Sequence, residues 1–257
     1  WMIELKGISF AYNDKVILDN INLAFNKNER IVLLGINGSG KSTLMKILCG
    51  LLFPKRGEFY FKGNLVDKNY FKNPENQYLF RGSVVMLFQS PDVMLFNPTV
   101  YDEVAFGLRQ RRMGENEVKE RTLYWIEKFG LKRYIDEPPF ELSGGEKQRL
   151  AIASILAIEP EVVLLDEPMA NLDPGSQGEV IDLLYELNIT TVISTHNLSM
   201  APELGERVVI LSESHKIIYD GDMEGLLTNE EILIEANLVH RHRHKHKEID
   251  HTHYHKH

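Results

Sequence analysis

A glycine-rich loop holds the residues of this sequence best suited to chemistry. Residues 35–43 fit the pattern G-x-x-x-x-G-K-[ST], in which backbone N–H groups, a lysine and a hydroxyl surround phosphates. The apolar run Arg30–Leu34 before it predicts a buried strand, and apolar residues after it follow one helix face, whose N-terminus favours anions. We therefore predict a triphosphate site, with Lys41 on the terminal phosphates and the Ser42 hydroxyl on Mg²⁺. The predicted nucleotide ligands of the loop are Gly35, Asn37, Gly38, Ser39, Gly40, Lys41, Ser42 and Thr43.

The histidine-rich segment at residues 240–257 is a second candidate site. It holds eight of the 10 histidines, and because they alternate with other residues, an extended chain places each group of four on one face. Imidazole is largely neutral at pH 7 and ligates Ni²⁺, Co²⁺, Zn²⁺ and Cu²⁺. The alternatives are a solvated tail or a purification tag, although a tag normally has consecutive histidines. The predicted Ni²⁺ or Co²⁺ ligands are His240, His242, His244, His246, His251, His253, His255 and His257.

Composition narrows the class of protein. The net charge of the 257 residues is −8, and the segment 240–257 contains more bases than acids, so the rest is more acidic still. An acidic body predicts no nucleic-acid partner. The single cysteine, Cys49, excludes an internal disulfide and suits a reducing compartment. There is no run of 18 apolar residues and no signal-peptide pattern at the start, so we expect a cytosolic protein without a membrane span.

The hydrophobic pattern predicts the elements that must position these residues. Alternation within 2–30 predicts short antiparallel strands, the polar stretch 67–81 predicts a loop, and a mainly helical segment runs from about 90 to 158. Apolar runs at 162–165, 191–194 and 208–211 are typical of a parallel sheet. We therefore predict an α/β domain over 2–239 with an antiparallel β subdomain and an inserted helical subdomain, followed by a separate tail at 240–257.

Further motifs follow the glycine loop. Residues 142–149, LSGGEKQR, open a predicted helix, and residues 162–168, VVLLDEP, end a strand in two carboxylates. Asn171-Leu172-Asp173 and Ser194-Thr195-His196 come next. In this order and at these spacings, the motifs resemble those of the ATP-binding cassette (ABC) ATPases, which are P-loop NTPases. The likeness runs from about residue 3 to 222, and the element L-S-G-G-x-x-Q-R is specific to that family.

The resemblance implies roles for individual residues. Glu167 would orient and deprotonate the attacking water, and His196 would contact the γ-phosphate. Mg²⁺ would be held by Ser42, Gln89 and Asp166, the last through water. Tyr12 would lie against adenine, with packing within a strand as the alternative. The implied catalytic set is Glu167, His196, Gln89 and Lys41, acting on ATP with Mg²⁺.

The LSGG segment offers a second anion site, because it places two glycines at a helix N-terminus. Two such sites in one chain suggest either two ligands or one ligand clamped between two copies. The resemblance implies the second arrangement, a head-to-tail homodimer with Asp173 at its interface, which ATP closes and hydrolysis opens. The signature residues that would complete the partner's site are Ser143, Gly144, Gly145 and Gln148.

Two segments resemble the ATPase subunits of energy-coupling factor transporters, namely residues 89–107 and 230–238. Ser90 and Met94 depart from the Asn and Gln that are more usual in that group. The resemblance implies that integral membrane subunits dock on the 90–107 region and hold the protein at the cytoplasmic face of the cell membrane. Together with the histidines it favours a cobalt or nickel importer. The alternatives are a vitamin importer of the same type and a soluble ABC protein that does not take part in transport.

Overall fold

The computed structural model describes the backbone of residues 1–246 and 249–256, and the side chains of residues 1–239. The chain divides into two compact units. The first combines residues 1–73 with 190–257, and the second is residues 74–189. The glycine loop therefore belongs to the first unit, and the LSGG and DEP motifs belong to the second.

An antiparallel sheet forms one part of the first unit. Its strands are β1 (Ile3–Tyr12), β2 (Lys15–Phe25), β4 (Arg56–Phe61) and β5 (Asn64–Leu65). Their order in the sheet is β2-β1-β4-β5, and alternate residues of the long strands β1 and β2 are buried, as the period of two requires. The predicted antiparallel strands within 2–30 are thus present as a long hairpin.

A second sheet of the first unit carries the glycine loop. Strand β3 (Arg30–Leu34) pairs in parallel with β8 (Thr190–Thr195) on one side and with β9 (Arg207–Leu211) on the other. Strand β10 (Ile217–Asp222) pairs with β9 in the antiparallel sense. Strands β3, β8 and β9 are buried almost throughout, as expected for an apolar parallel sheet. The remaining elements are α1 (Lys41–Leu48), α7 (Ala201–Leu204), α8 (Met223–Leu227), α9 (Glu230–Glu235), and an antiparallel pair, β11 (Val239–His246) with β12 (Ile249–Lys256).

The second unit is mainly helical around one parallel strand pair. Strands β6 (Val84–Leu87) and β7 (Val162–Asp166) pair in register, with Leu87 opposite Leu165. Thr99 caps the first helix of the predicted helical segment by accepting a hydrogen bond from the Asp102 N–H, as its sequence position suggests. The helices are α2 (Pro74–Ser83), α3 (Val100–Gln110), α4 (Glu115–Lys128), α5 (Gly144–Leu156) and α6 (Pro174–Glu186).

The predicted loop at 67–81 is wrong in its second half, where helix α2 lies. A proline at the first helical position and Glu75 in the first turn are ordinary start signals. Only Phe80 and Gly82 of this helix are buried, so no apolar stripe of helical period marks it in the sequence. Among the described residues, no helix is long and apolar enough to cross a lipid bilayer.

Candidate nucleotide site

The glycine loop joins the buried strand β3 directly to helix α1. Gly35 and Gly40 have φ angles of 150° and 115°, which favour glycine. A Cβ at Gly35 would lie 2.4 Å from the Leu211 carbonyl oxygen, and one at Gly40 would lie 2.6 Å from the Ile17 carbonyl oxygen. These two glycines are therefore required by the surrounding backbone of β9 and β2, whatever ligand the loop binds.

The N-terminus of α1 is arranged to receive an anion. Among the described residues, no side chain caps this helix, so its first N–H groups are left for a ligand in the loop. The Lys41 ammonium is almost completely buried and donates to the carbonyl oxygens of Gly35 and Ile36. The loop thus holds a positive charge at its centre, as the sequence pattern predicts.

Residue His196 lies at the same sheet edge as the loop. Strands β3 and β8 pair in parallel, with Leu34 opposite Thr195, so Gly35 and His196 both come one residue beyond a paired position. The His196 side chain is exposed, and Thr195 accepts a hydrogen bond from the Asn197 N–H just after it. His196 and the glycine loop therefore lie at the same edge of the sheet in the first unit.

Tyr12 ends strand β1, next to the hairpin turn. Its ring is 47% exposed and makes an edge contact with Phe10, with ring centroids 5.0 Å apart. An exposed ring favours the predicted contact with a base over the alternative of packing within the core. The adjoining strand β2 touches the glycine loop, because the Ile17 carbonyl lies against Gly40.

A histidine that the sequence pattern did not single out also contacts the loop. The His215 ring, through Nδ1, lies 3.2 Å from the Ser39 carbonyl oxygen, and its own carbonyl accepts from the Asp19 N–H. His215 adopts a φ of 63°, which is uncommon outside glycine. It thus joins the turn after β9 to the loop and to β2. No local motif marks this residue, since the contact depends on long-range packing.

The two carboxylates of the second unit lie at the end of β7. The strand is buried throughout, and Asp166 and Glu167 are only 4% and 9% exposed. Glu167 adopts a φ of 49°, in the left-handed region that costs a residue with a Cβ about 1 kcal/mol or more. Such strain at a buried acid is typical of functional positions. The predicted Asp-Glu pair is thus held in place rather than exposed to solvent.

Gln89 is placed at the same end of the strand pair. Leu87 of β6 is opposite Leu165 of β7, so Gln89 and Glu167 each come two residues beyond this pair. The Gln89 side chain is exposed. Mg²⁺ prefers oxygen ligands. The amide of Gln89 and the carboxylates of β7 offer such oxygens at one sheet edge, and the Ser42 hydroxyl offers one in the other unit. The chemistry of the predicted Mg²⁺ ligands therefore fits the ion.

The signature helix α5 begins with a complete capping box. Ser143 accepts from the Glu146 N–H, while the Ser143 N–H and hydroxyl donate to Glu146 Oε2 at 2.9 and 2.7 Å. The other oxygen, Oε1, accepts from the Tyr134 hydroxyl and lies 3.2 Å from Arg133. The Tyr134 hydroxyl and then Ser143 lower the pKa of Glu146 to about 2. This network fixes the start of α5.

Gly144 lies just inside that helix start and faces open space. Among the described residues, nothing lies within 4 Å of the Cβ that a larger residue would have there, and its backbone angle is ordinary. The folded chain itself therefore gives no steric reason for a glycine at this position. A ligand or another molecule approaching the helix N-terminus would give one.

Two further residues of the predicted set have structural contacts inside the second unit. Gln148 is fully buried and donates to the Pro168 carbonyl oxygen at 2.9 Å, so it joins the signature helix to the loop after Glu167. The predicted place of Gln148 among the residues that complete a partner's site stays a prediction. Asp173 caps α6, and the Ser176 hydroxyl and N–H lower the pKa of its carboxyl group.

The segment after Gln89 exposes apolar side chains. Val93 and Phe96 are 71% and 67% exposed, and Phe96 contacts the half-exposed Phe106 of α3 edge-on at 5.1 Å. Glu103 is buried beneath them and accepts from the Phe96 and Asn97 N–H groups, which fixes the shape of the turn. Met94, at a departure from the usual subfamily residue, accepts from the Phe88 N–H through its sulfur.

Fold and site together define a class of protein. The structure has the parts of an ABC-type ATPase. These are a glycine loop between a strand and a helix, a strand that ends in Asp-Glu, a capped LSGG helix and a histidine after a parallel strand. The family model for ABC transporters matches residues 18–170. The chain belongs to this family.

Comparisons with individual proteins agree. An energy-coupling factor transporter ATP-binding protein, EcfA, of Methanothermobacter thermautotrophicus is 40% identical over 241 residues, covering 92% of this chain and 76% of that protein. An ABC transporter ATP-binding protein of Methanosarcina acetivorans is 42% identical, covering 93% and 89%. The structure of cbiO1 from Clostridium perfringens, part of the transporter complex cbiONQ, matches with a TM-score of 0.77 at 31% identity, covering 93% and 95%. A dimeric post-hydrolysis structure of the cassette MJ0796 with ADP and Pi gives 0.76 at 29% identity, covering 86% and 99%.

These comparisons confirm the predicted fold class, a P-loop α/β core with an antiparallel β subdomain and an inserted helical subdomain. The protein is an ATP-binding, ATP-hydrolysing subunit of the ABC transporter family. The predicted metal ligands at residues 240–257 lie outside the residues whose side chains the structure describes.

Proposed function

We propose that this ATPase drives uptake of cobalt or nickel ions by an energy-coupling factor type importer. The proposal that a metal ion is transported rests on the alternating histidines in 240–257, which offer imidazole at up to eight positions. The matches to EcfA and to cbiO1 support the importer type. A vitamin importer of the same type is the second candidate, since its ATPase would carry the same motifs.

In this proposal the residues of each unit have separate tasks. In the first unit, the loop residues 35–43 bind the phosphates, Tyr12 stacks on adenine and His196 contacts the γ-phosphate. In the second unit, Glu167 takes a proton from the attacking water, and Asp166 and Gln89 are proposed Mg²⁺ ligands. In the first unit, the Ser42 hydroxyl is a proposed Mg²⁺ ligand. Bound Mg²⁺ would neutralise charge on the β- and γ-phosphates.

We further propose that two copies form a head-to-tail homodimer, with the signature residues of one copy at the nucleotide of the other. The open space beside Gly144 supports this arrangement, since no described atom lies within 4 Å of the Cβ that a larger residue would have there. The solved MJ0796 cassette is itself dimeric. Asp173, exposed at the start of α6, is the residue proposed for the interface.

The docking surface proposed for the membrane subunits is the 90–107 region. Its exposed Val93, Phe96 and Phe106 form an apolar patch of the kind that marks protein contacts. The Glu103 hydrogen bonds hold the patch in one shape, ready for an apolar partner helix. Docking there places the protein at the cytoplasmic face of the cell membrane as a peripheral subunit, with no nucleic-acid partner.

Titration of the full-length protein with Ni²⁺ and Co²⁺ tests the metal proposal. Calorimetry should show binding that disappears when the eight histidines of 240–257 are replaced by glutamine, because glutamine does not replace imidazole as a ligand for these ions. The two isotherms should differ while ATP hydrolysis stays equal. Identical isotherms would exclude a metal role for the segment. The membrane subunits that copurify with the protein distinguish a metal importer from a vitamin importer.

A further inference from the structure

A second, basic pocket lies in the second unit, apart from every motif of the nucleotide site. It has a volume of about 590 Å³ and is formed by the face of α2, the end of α3 and the end of α5. Three arginines line it, Arg81, Arg111 and Arg112, together with Tyr78 and the apolar side chains of Phe106 and Ile158. Among its described lining residues there is no carboxylate.

The guanidinium of Arg111 is held in place against helix α2. It lies over the Tyr78 ring at 5.1 Å from the centroid, and the Tyr78 hydroxyl donates to the Arg111 carbonyl oxygen at 2.9 Å. A Cβ on Gly82 would lie 1.6 Å from Arg111 Nη1, so the guanidinium occupies the space that a larger residue at position 82 would fill. Arg112 stacks on the same ring, also at 5.1 Å.

This guanidinium lacks a polar partner within the part of the chain that the structure describes. Its Nη1 atom is buried and donates to no described acceptor. A buried guanidinium N–H without an acceptor is destabilising, so such groups normally have a hydrogen-bond partner, whether protein, water or ligand. Neither Arg81 nor Arg112 forms an ion pair with a described side chain.

Several other arginines are held by ion pairs, whereas the described side chains offer none to this cluster. Arg109, near the end of α3, pairs with Asp102 at 3.2 Å and with Glu115 at 3.8 Å. Ion pairs also hold Arg30, Arg121, Arg133 and Arg207. Basic residues at a helix C-terminus can serve the helix dipole alone. Arg111 and Arg112, however, stack across to Tyr78 on α2 and line the pocket.

We propose that this pocket binds an organic phosphate ester. The arginines would form paired hydrogen bonds to the phosphate oxygens, because the planar guanidinium matches their spacing. The pocket is much larger than a phosphate ion, and Phe106 and Ile158 supply an apolar wall for the group that the phosphate carries. A soluble phosphate ester and a phospholipid headgroup present the same chemistry to these residues.

Arginine-selective NMR of the full-length protein tests the proposal, in saturating ADP so that the glycine loop is occupied. One arm adds glycerol 1-phosphate. The other arm adds phosphatidylglycerol vesicles, and flotation measures how much protein binds them compared with phosphatidylcholine vesicles. The compared variants are Arg111→Gln, Arg112→Gln and, as the matched control, Arg109→Gln. Sodium chloride at equal ionic strength controls for screening of charge.

The Arg111 and Arg112 side-chain N–H signals should shift on addition of the ester, and each pocket variant should weaken binding about tenfold while Arg109→Gln leaves it unchanged. Binding to vesicles but not to glycerol 1-phosphate would identify the lipid as the source, and the reverse would identify a soluble ester. If Arg111→Gln does not fold, the exposed Arg112→Gln variant still decides. The proposal is overturned if neither probe binds, or if Arg109→Gln weakens binding as much as the pocket variants do.

Discussion

The backbone at Glu167 is the residue-scale feature that bears most directly on catalysis. A carboxylate in the left-handed region, buried at the end of β7, is held by packing rather than by local preference. Gln148 on α5 contributes to this packing through its hydrogen bond to Pro168, the residue after Glu167. A backbone held in this conformation before any ligand arrives suits the role we propose for Glu167, which is to orient a water molecule.

Replacing this carboxylate with an amide of the same size isolates its chemical role. Glu167→Gln should lower the ATP hydrolysis rate at least about 100-fold, because an amide does not accept the proton of the attacking water. ATP binding, measured by calorimetry, should be retained. Glu179→Gln, the same change on the exposed face of α6, is the control and should hydrolyse ATP normally. Unchanged hydrolysis in Glu167→Gln would falsify the assignment of the base.

Two loop glycines should respond differently to alanine. In Gly40→Ala the new Cβ would meet the Ile17 carbonyl oxygen at 2.6 Å, so both the folding stability and the nucleotide affinity should fall, the stability by about 2–3 kcal/mol. Gly38 also has a positive φ, of 86°, but no described atom lies within 4 Å of its Cβ position. Gly38→Ala should therefore cost only about 1 kcal/mol of stability and act mainly on nucleotide binding. Urea denaturation and ADP titration measure the two effects, and equal stability of both variants would contradict the account.

At the scale of elements, the start of α5 is stabilised by one carboxylate with four contacts. Glu146 accepts from Ser143 twice, from the Tyr134 hydroxyl, and pairs with Arg133. The capping box therefore links the signature helix to the 3₁₀ turn at Lys132–Tyr134. The Gly144 N-terminus, which we propose to face the partner's nucleotide, is held in position by these bonds.

This network makes a pH-dependent contribution to stability. The folded-state pKa of Glu146, about 2, lies below its ordinary value of 4.5, so its stabilisation is present above pH 4.5 and is lost as the pH falls through about 2. Glu146→Gln should therefore be less stable than the wild type by about 1–2 kcal/mol at pH 7, allowing for solvent screening. The difference should shrink between pH 4.5 and 2. Urea denaturation across this range measures it, with the exposed Glu120→Gln as control. A difference independent of pH would refute the charged capping role.

The elements that sequence patterns could predict are those with a local signal. Strand β3, the glycine loop and the Thr99 cap of α3 follow from residues a few positions apart, and the structure has each where the pattern predicts it. Helix α2 has a local start signal at Pro74 and Glu75 but no apolar stripe, because it buries little more than Phe80. The His215 contact with the loop and the Arg111 position beside Gly82 join residues far apart in the chain. Only the folded structure brings such pairs together.

On the scale of the whole molecule, the two units carry complementary chemistry. The first holds the glycine loop and His196, and the second holds the carboxylates and the signature helix. The chain also carries a helix N-terminus at Gly144, where a Cβ would meet no described atom within 4 Å. A phosphate-binding loop and this helix N-terminus on the same chain suit a head-to-tail pair, because the loop of each copy can then share one phosphate with the helix of the other.

A mixing experiment distinguishes a site completed by a partner from one completed within a single chain. Lys41→Ala removes the charge of the glycine loop, and Gly144→Asp adds a negative charge at the signature helix without a steric clash in its own chain. Each variant alone should be nearly inactive as an ATPase. In a head-to-tail dimer, an equal mixture restores one intact site in each mixed dimer, so about a quarter of the wild-type rate should return if the sites act independently. The rate is measured by phosphate release after the variants are mixed and allowed to exchange partners, with each variant at double concentration as control. A mixture no more active than its components would show that the loop and the signature serve the same protomer.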